Sequence, residues 1–396
     1  MAYSIPVYEV TPITQQAIPT AARPERALLA GVQIKGSRNN LWPLVDSLQE
    51  LAQLASTAGA QVVGTMVQHL ERPTHTYLGK GKLEELRALR HSYNTVILDD
   101  ELTPTQQRNL ENALGESVKV IDRTALILDI FARRAQTREG RLQVELAQHQ
   151  YLLPRLAGQW SHLERLGGGI GTRGPGETQI ETDRRLISRR IQRLRRELEE
   201  VRQHRSLYRR HRREREIPVV ALVGYTNTGK STLLNVLTGA GVAESAQLFS
   251  TLDPVTRRLR LPSGQQVLLT DTVGIIHKLP PMVVAAFRAT LEELQEASLL
   301  LHVADVTHHN AQEQVRVVED ILQDLDLQRK PVVLVLNKVD RLLSVSNGTA
   351  ADHAIGELST NFLEGVRVSA TKRLGLDKLL RHIDAALEKV LELTVS

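Results

Sequence analysis

The chain has 396 residues, a formal net charge of +5 and no cysteine. Its length allows two or three domains, each able to bury its own core, and the lack of cysteine excludes disulfide frameworks and thiolate metal sites. No stretch approaches the roughly 20 apolar residues of a membrane span, and residues 1–22 lack the pattern of a signal peptide. We therefore expect a cytoplasmic protein without a membrane span.

Residues 25–122, which follow an N-terminal tail of residues 1–24, alternate strand and helix patterns. Three apolar runs are candidate strands: 27–34, 61–67 and 95–98. Apolar residues recur at helical spacing over 41–58 and 82–91, and Thr103 begins a further helix with Pro104 in its first turn. This alternation predicts a small parallel α/β domain.

Residues 123–216 form the next predicted unit, a long antiparallel helical hairpin. The helical pattern runs from Thr124 to about Leu153, and a second helix begins near Thr182 or Asp183, which are favourable N-capping residues. Apolar residues of the second helix alternate spacings of four and three: Ile187, Ile191, Leu194, Leu198 and Val201. This spacing is typical of a coiled-coil seam, and the preceding helix is the nearest partner for it.

The predicted connection of the hairpin, residues 166–179, has the sequence LGGGIGTRGPGETQ. Glycine and proline are unfavourable in a helix interior by roughly 1 and 3 kcal/mol, so we expect a loop. It is either a flexible linker or a binding loop whose backbone N–H groups approach a phosphate backbone, with Arg173 supplying charge. We favour binding, because such a long loop between packed helices is uncommon without a role.

The second hairpin helix, residues 183–215, is strongly basic. It has fourteen arginines and five acidic residues, a net charge of +9 that leaves −4 for the rest of the chain. This asymmetry favours a polyanionic partner, although a solvated helix face is the alternative. Because Tyr208 is the only aromatic residue of this helix, we expect phosphate contacts rather than base stacking.

Residues 217–372 have the pattern of a nucleotide-binding domain, followed by a C-terminal helix at 373–396. The strand 219–223 leads into eight residues that fit G-x-x-x-x-G-K-[ST]: Gly224, Tyr225, Thr226, Asn227, Thr228, Gly229, Lys230 and Ser231. An apolar helix begins near Thr232, as this phosphate-loop motif requires. Backbone N–H groups of such a loop bind phosphates, Lys230 neutralises the β and γ phosphates, and the Ser231 hydroxyl is a Mg²⁺ ligand.

A second motif, D-x-x-G, follows the strand 266–269 and consists of Asp271, Thr272, Val273 and Gly274. Asp271 is expected to hold a magnesium-bound water, and the Gly274 N–H to contact the γ-phosphate. The motif lies forty residues after Ser231 on the next strand but one, a placement typical of GTPases.

A third motif, N-K-x-D, ends the apolar run 332–336 and supplies Asn337, Lys338 and Asp340. Asp340 can accept hydrogen bonds from N1–H and the N2 amino group of guanine, whereas adenine has neither donor there. A buried carboxylate left unpaired costs several kcal/mol, so the motif predicts selection of GTP over ATP. Asn337 and Lys338 are expected to brace the pocket. Ser369 and Ala370 resemble the short element whose backbone N–H contacts guanine O6.

The loop that senses the γ-phosphate usually carries a threonine that completes the magnesium shell. The candidate segment begins at Phe249 and contains Thr251 and Thr256, and the spacing leaves both open. Ile275 directly follows D-x-x-G, where many GTPases have a glutamine that orients the attacking water, so we expect slow intrinsic hydrolysis that needs outside help. Asn227 either helps to hold K⁺ between the phosphates or stiffens its own loop.

Four segments closely resemble the HflX family of translational GTPases, within the Obg-HflX-like group: 166–185, 224–232, 248–257 and 271–274. Residues 76–86 and 99–111 are also similar to it, so the resemblance covers roughly residues 25–392. It favours Thr251 over Thr256 and implies Lys230, Thr251 and Gly274 as catalytic residues. The expected cofactors are GTP or GDP and Mg²⁺, with K⁺ as a further candidate. The expected metal ligands are Ser231, Thr251 and, through water, Asp271.

The resemblance also implies a partner, the ribosome, and mainly its large subunit. Members of this family are expected to split or rescue stalled or idle ribosomes under stress, with GTP hydrolysis stimulated by the ribosome. Large-subunit ribosomal RNA would then be the polyanion that the basic helix contacts, and we expect a monomer. One alternative is a GTP-switched RNA-binding assembly factor for the large subunit, and another is an enzyme module that acts on RNA with the GTPase as its switch. A third is a membrane or signalling GTPase that binds only protein. The last leaves the basic helix unexplained.

Overall fold

The computed structural model describes residues 25–36, 42–115, 117–156, 175–213, 217–241, 247–286, 293–345 and 365–395. These ranges contain a small parallel α/β domain, a helical hairpin and a larger α/β domain, which confirms the predicted fold class. Within them, no helix has both the length and the apolar character needed to cross a membrane.

The N-terminal domain is built on a parallel sheet in the order β2-β1-β3-β4. Its elements are β1 (Arg26–Ile34), α1 (Leu44–Thr57), β2 (Gln61–Leu70), α2 (Lys80–Ala88), β3 (Thr95–Leu98), α3 (Pro104–Leu114) and β4 (Lys119–Asp122). The predicted start of α3 is confirmed, and Thr103 is its N-cap, since the Thr103 side chain accepts from the Gln106 N–H in a capping box. The sequence prediction missed β4, because four residues with only two apolar positions show little periodicity.

Three helices follow: α4 (Arg123–Arg134), α5 (Arg138–Leu152) and α6 (Pro175–Arg213). The single helix predicted over Thr124–Leu153 is wrong, because Thr137 caps a new helix by accepting from the Gly140 N–H. The helix α4 packs against α1 of the N-terminal domain, whereas α5 packs against α6. The hairpin therefore begins at α5.

The predicted start of the basic helix near Thr182 or Asp183 is also wrong, because α6 begins at Pro175. Proline is well tolerated at the first helical position, where its missing N–H would have no helical partner. The last five residues of the predicted loop 166–179 therefore belong to the helix. Residues 157–174, which contain the rest of that loop, lie outside the described residues.

The seam of the hairpin is the one predicted from the heptad spacing. Leu194 is fully buried and Leu198 nearly so, and both pack on Leu142 of α5. The Arg190 Nη2 lies 2.6 Å from a Glu145 carboxylate oxygen. Leu142 precedes Glu145 in α5, whereas its partners in α6 follow Arg190, the partner of Glu145. The two helices are therefore antiparallel.

The C-terminal domain has a six-stranded sheet in the order β10-β9-β8-β5-β7-β6, parallel except for β6 against β7. Its elements are β5 (Val219–Val223), α7 (Lys230–Thr238), β6 (Val255–Arg260), β7 (Gln266–Asp271), α8 (Pro281–Ala286), β8 (Leu299–Asp305), α9 (Ala311–Asp324), β9 (Val332–Asn337), α10 (Val339–Val345), β10 (Val366–Arg367) and α11 (Leu376–Val395). Because β5, β7 and β9 run parallel, their carboxyl ends bring the three sequence motifs to one edge.

Candidate nucleotide-binding site

A cavity of about 270 Å³ lies at this edge of the sheet. Most of the predicted site residues line it: Thr226, Asn227, Gly229, Lys230, Ser231, Thr232, Phe249, Thr251, Thr272, Gly274, Asn337, Lys338, Asp340 and Ala370. The structure adds Ser250, Arg341 and Thr371, which adjoin predicted residues in sequence but belong to no motif.

The site depends on two glycines, Gly229 of the phosphate loop and Gly274 of the D-x-x-G motif, where a larger residue has no room. Gly229 has φ 92°, and a Cβ there would lie 2.4 Å from the Asn337 Nδ2. A Cβ on Gly274 would come within 2.9 Å of the Thr226 Cα. The D-x-x-G segment and the phosphate loop are therefore in direct backbone contact, and the Thr226 N–H donates to the Ile275 carbonyl at 2.8 Å.

Lys230 is buried at the base of the cavity. Its Nζ donates to the Tyr225 carbonyl at 2.7 Å and to the Gly224 carbonyl at 3.2 Å. Burial lowers the pKa of Lys230 to about 8; Lys338 acts in the same direction, while Asp271 opposes both. An anionic ligand would therefore stabilise the charged form of Lys230 and raise its pKa.

The three predicted magnesium ligands lie together. The Asp271 Oδ2 accepts from the Ser231 hydroxyl at 2.6 Å and from the Thr251 hydroxyl at 2.9 Å. The Asp271 Oδ1 is buried and has no hydrogen-bond partner among the described residues. Burial raises the pKa of Asp271, against the opposing effect of Lys230. A carboxylate with an unpaired buried oxygen, beside two hydroxyls, fits the oxygen ligands that Mg²⁺ prefers.

The two candidate threonines of the γ-phosphate loop have different surroundings. Thr251 lies 2.8 Å from Ser231 and lines the cavity. Thr256 is in β6, where its hydroxyl is 2.9 Å from that of Thr270 in the neighbouring strand. Of the two, the structure brings only Thr251 to Asp271.

At the other end of the cavity, the N-K-x-D residues are held by hydrogen bonds. Asn337 donates to the Thr228 carbonyl at 2.8 Å and accepts from the Ala370 N–H at 3.1 Å. The Lys338 Nζ lies 2.6 Å from Asp305 and 2.7 Å from the Asn227 carbonyl. The Asp340 Oδ1 accepts from the Ser369 hydroxyl at 2.6 Å. Among the described residues, these contacts leave the second oxygen of Asp340 for a ligand in the cavity.

Six predicted residues do not line the cavity: Gly224, Tyr225, Thr228, Asp271, Val273 and Ser369. Tyr225 differs most from the prediction, because its side chain faces the N-terminal domain. Its hydroxyl donates to the Glu50 carboxylate and accepts from the His277 N–H at 2.7 Å. Ile275, at the usual position of the water-orienting glutamine, and Ile276 after it are buried and do not line the cavity either.

A buried ionic network joins this side of the site to the N-terminal domain. Arg123 is 1% exposed and lies 2.6 Å from both Glu50 and Asp99. Its Nη1 also donates to the His277 carbonyl at 3.3 Å, and Lys278 pairs with Asp99. Burial raises the pKa of Glu50. Burial would raise that of Asp99 too, but Arg123 and Lys278 outweigh it and lower the pKa to about 2.

Comparison with known proteins places the chain in a family. Residues 45–132 match the family described as GTP-binding GTPase N-terminal, residues 134–212 match GTP-binding GTPase Middle Region, and residues 219–338 match 50S ribosome-binding GTPase. GTPase HflX of Caldanaerobacter subterraneus subsp. tengcongensis is 52% identical over 351 residues, covering 88% of this chain and 78% of that relative.

Two further relatives also have the name GTPase HflX. GTPase HflX of Lacrimispora saccharolytica is 49% identical over 344 residues, covering 86% of this chain and 79% of the relative. GTPase HflX of Alkalihalophilus pseudofirmus is 52% identical over 324 residues, covering 81% of this chain and 75% of the relative. At this identity and coverage, the chain belongs to the HflX family of GTPases.

Proposed function

We propose that this GTP hydrolase acts in the cytoplasm, as a monomer, on the large ribosomal subunit, and that it splits or rescues stalled or idle ribosomes. One observation supports the nucleotide chemistry: the same cavity is lined by Lys230, Ser231, Thr251 and Asp340. The ribosomal role is supported by the 50S ribosome-binding family that matches residues 219–338.

In this proposal, the phosphate loop binds the triphosphate through its backbone N–H groups. Lys230 leaves the Gly224 and Tyr225 carbonyls and contacts the β and γ phosphates, while the Gly274 N–H contacts the γ-phosphate. Ser231, Thr251 and Asp271 would hold Mg²⁺, the last through water. When bound, Mg²⁺ neutralises phosphate charge and orients the γ-phosphate.

Base selection rests on Asp340. Its carboxylate accepts from the N1–H and N2 amino donors of guanine, and the Ser369 hydroxyl holds it in place. Adenine lacks these donors, so ATP would leave the carboxylate unpaired.

Hydrolysis without a partner is expected to be slow. Ile275 cannot orient a water molecule, since its side chain is apolar and 3% exposed. The required help is proposed to come from the ribosome, and K⁺ beside Asn227 is a second candidate contribution.

The contact with ribosomal RNA is assigned to α6. Its described surface has six exposed arginines: Arg184, Arg185, Arg189, Arg193, Arg195 and Arg196. Arginines on one helix contact phosphates with little dependence on base sequence, and such binding weakens as salt rises.

The test is GTP hydrolysis with and without purified ribosomes and large subunits, for the wild type and Lys230→Ala. We expect ribosomes to raise the wild-type rate and Lys230→Ala to abolish it. A wild-type rate that ribosomes do not change would overturn the ribosomal role and leave the nucleotide site standing.

A second measurement addresses the RNA contact. Arg195→Glu should weaken salt-sensitive binding to large subunits, whereas Arg133→Glu on α4 serves as the charge-matched control. Binding that is confined to immature large-subunit particles would instead support the assembly-factor alternative.

A further inference from the structure

The loop that carries Thr251 is attached to the hairpin by a neighbouring carboxylate. Asp253 lies two residues after Thr251, and its Oδ2 accepts from the Gln136 N–H at 2.9 Å and the Thr137 N–H at 3.0 Å. Its Oδ1 accepts from the Thr137 hydroxyl. Thr137 is the N-cap of α5, so the carboxylate lies at the positive end of that helix.

The first turn of α5 is shaped to admit this carboxylate. A Cβ on Gly140 would lie 2.5 Å from the Asp253 Oδ1, so a larger residue at this position would displace Asp253. Three donors from two consecutive residues therefore converge on one side chain of the γ-phosphate loop.

The same loop is held on the other side of Thr251. Phe249 is 2% exposed and contacts Phe131 of α4 edge to face, with ring centroids 4.7 Å apart. Gln247 accepts a hydrogen bond from Arg134, near the end of α4. The corner between α4 and α5 thus contacts the loop before and after the threonine.

These contacts restrict where Thr251 can be. Two residues of extended chain span at most about 7 Å, so a shift of Asp253 by a few ångströms moves Thr251 relative to Asp271. The Thr251 hydroxyl lies 2.9 Å from the Asp271 Oδ2 only while the loop keeps its present position.

We propose that Asp253 is a positioning residue for GTP hydrolysis, which holds Thr251 in place for magnesium by anchoring its loop to the N-terminus of α5. The proposal rests on the role proposed above for Thr251. Since α5 is also one helix of the hairpin, a movement of the hairpin on a partner reaches the nucleotide site through Asp253. The hairpin would then act on hydrolysis as well as on RNA binding.

The decisive experiment compares Asp253→Ala with the wild type in kcat and KM for GTP, in GDP affinity and in the Mg²⁺ concentration that gives half-maximal rate. Loss of hydrogen bonds to a charged group predicts a fall in kcat of about tenfold or more. The Mg²⁺ requirement should rise several-fold, and GDP affinity should stay within about twofold. Asp253→Asn, which keeps one acceptor oxygen and is less disruptive to folding, should fall between the two.

A helix cap without any positioning role would behave differently. The matched control is Thr103→Ala, which removes the side chain that caps α3 in the N-terminal domain. It should lower thermal stability and leave kcat and the Mg²⁺ requirement unchanged. If Asp253→Ala and Asp253→Asn behave in the same way as Thr103→Ala, the proposal is wrong.

A double-mutant cycle shows whether Asp253 acts through Thr251. In a Thr251→Ala background, Asp253→Ala should have little further effect on kcat, whereas additive losses would overturn the coupling. If Thr251→Ala leaves the Mg²⁺ requirement unchanged, the magnesium role of Thr251 fails. If Thr251→Ala raises it and Asp253→Ala does not, only the positioning role fails.

Discussion

Replacement of Arg123 by Met is expected to weaken the junction between the N-terminal domain and the GTPase domain. Removing one partner of a buried ion pair costs about 3–5 kcal/mol, because a charge is left without compensation. Asp99 would keep Lys278 as a partner, whereas Glu50 would keep the hydroxyl of Tyr225. We therefore expect a loss near the lower end, about 3 kcal/mol at neutral pH.

The loss should depend on pH in a defined direction. The pKa of Glu50 is raised by burial even with Arg123 present, and the variant would raise it further. Above the unfolded pKa near 4.5, the unfolded chain ionises Glu50 while the folded chain resists ionisation. Stability of the variant should therefore fall as pH rises, so its deficit is smaller at pH 5 than at pH 8.

The assay is urea denaturation followed by the fluorescence of Trp42 in a Trp160→Phe background. Trp42 stacks on His277 with ring centroids 4.8 Å apart, so its emission reports this junction. Arg133→Met is the control, because that arginine is 60% exposed and pairs with Asp129 at the surface; it should cost no more than about 1 kcal/mol. Equal losses for the two variants, or a deficit that does not change with pH, would refute the reasoning.

Three further predictions concern nucleotide binding and the hairpin. Since the pKa of Lys230 is about 8 in the free site, GDP binding at pH 8 should take up protons, and GDP affinity should fall as pH rises further. The measurement is calorimetry in buffers of different ionisation enthalpy. The same heat of binding in all buffers would contradict this proton uptake. Asp340→Asn should shift the preference from GTP to xanthosine triphosphate, whose C2 oxygen accepts from an amide, and unchanged selectivity in competition binding would remove Asp340 as the base reader. Leu194→Ala should destabilise the hairpin by about 2–5 kcal/mol, whereas Leu186→Ala, 55% exposed, should stay within about 0.5 kcal/mol; equal effects in thermal denaturation would contradict the seam.

Much of the fold could be predicted from local patterns. The seam residues Leu194 and Leu198 were evident from their spacing, and the start of α3 from Thr103 and the proline after it. These features depend on residues three or four positions apart, where the sequence itself records the neighbours. The interruption before α5 was missed because Thr137 resembles any surface threonine until a helix begins after it.

The nucleotide site could be predicted for a related reason. Each of its motifs is a short segment whose backbone and side chains act together, and parallel strands bring the segments to one edge. Spacing alone left open which threonine serves the loop, and only the family resemblance favoured Thr251. In the structure, the Thr251 hydroxyl contacts Asp271, whereas Thr256 lies within β6 and contacts Thr270 of β7. This difference depends on the residue at which β6 begins, Val255.

The sequence by itself determined the domain types, the heptad seam and the phosphate, magnesium and guanine motifs, because those signals are periodic or contiguous. Only the tertiary structure decided which charges meet across the domains. Tyr225 contacts Glu50 across 175 residues, and Lys278 contacts Asp99 across 179. No local spacing encodes such pairs, since they depend on how two distinct sheets lie against each other. The attachment of Asp253 to Thr137 across 116 residues has the same origin.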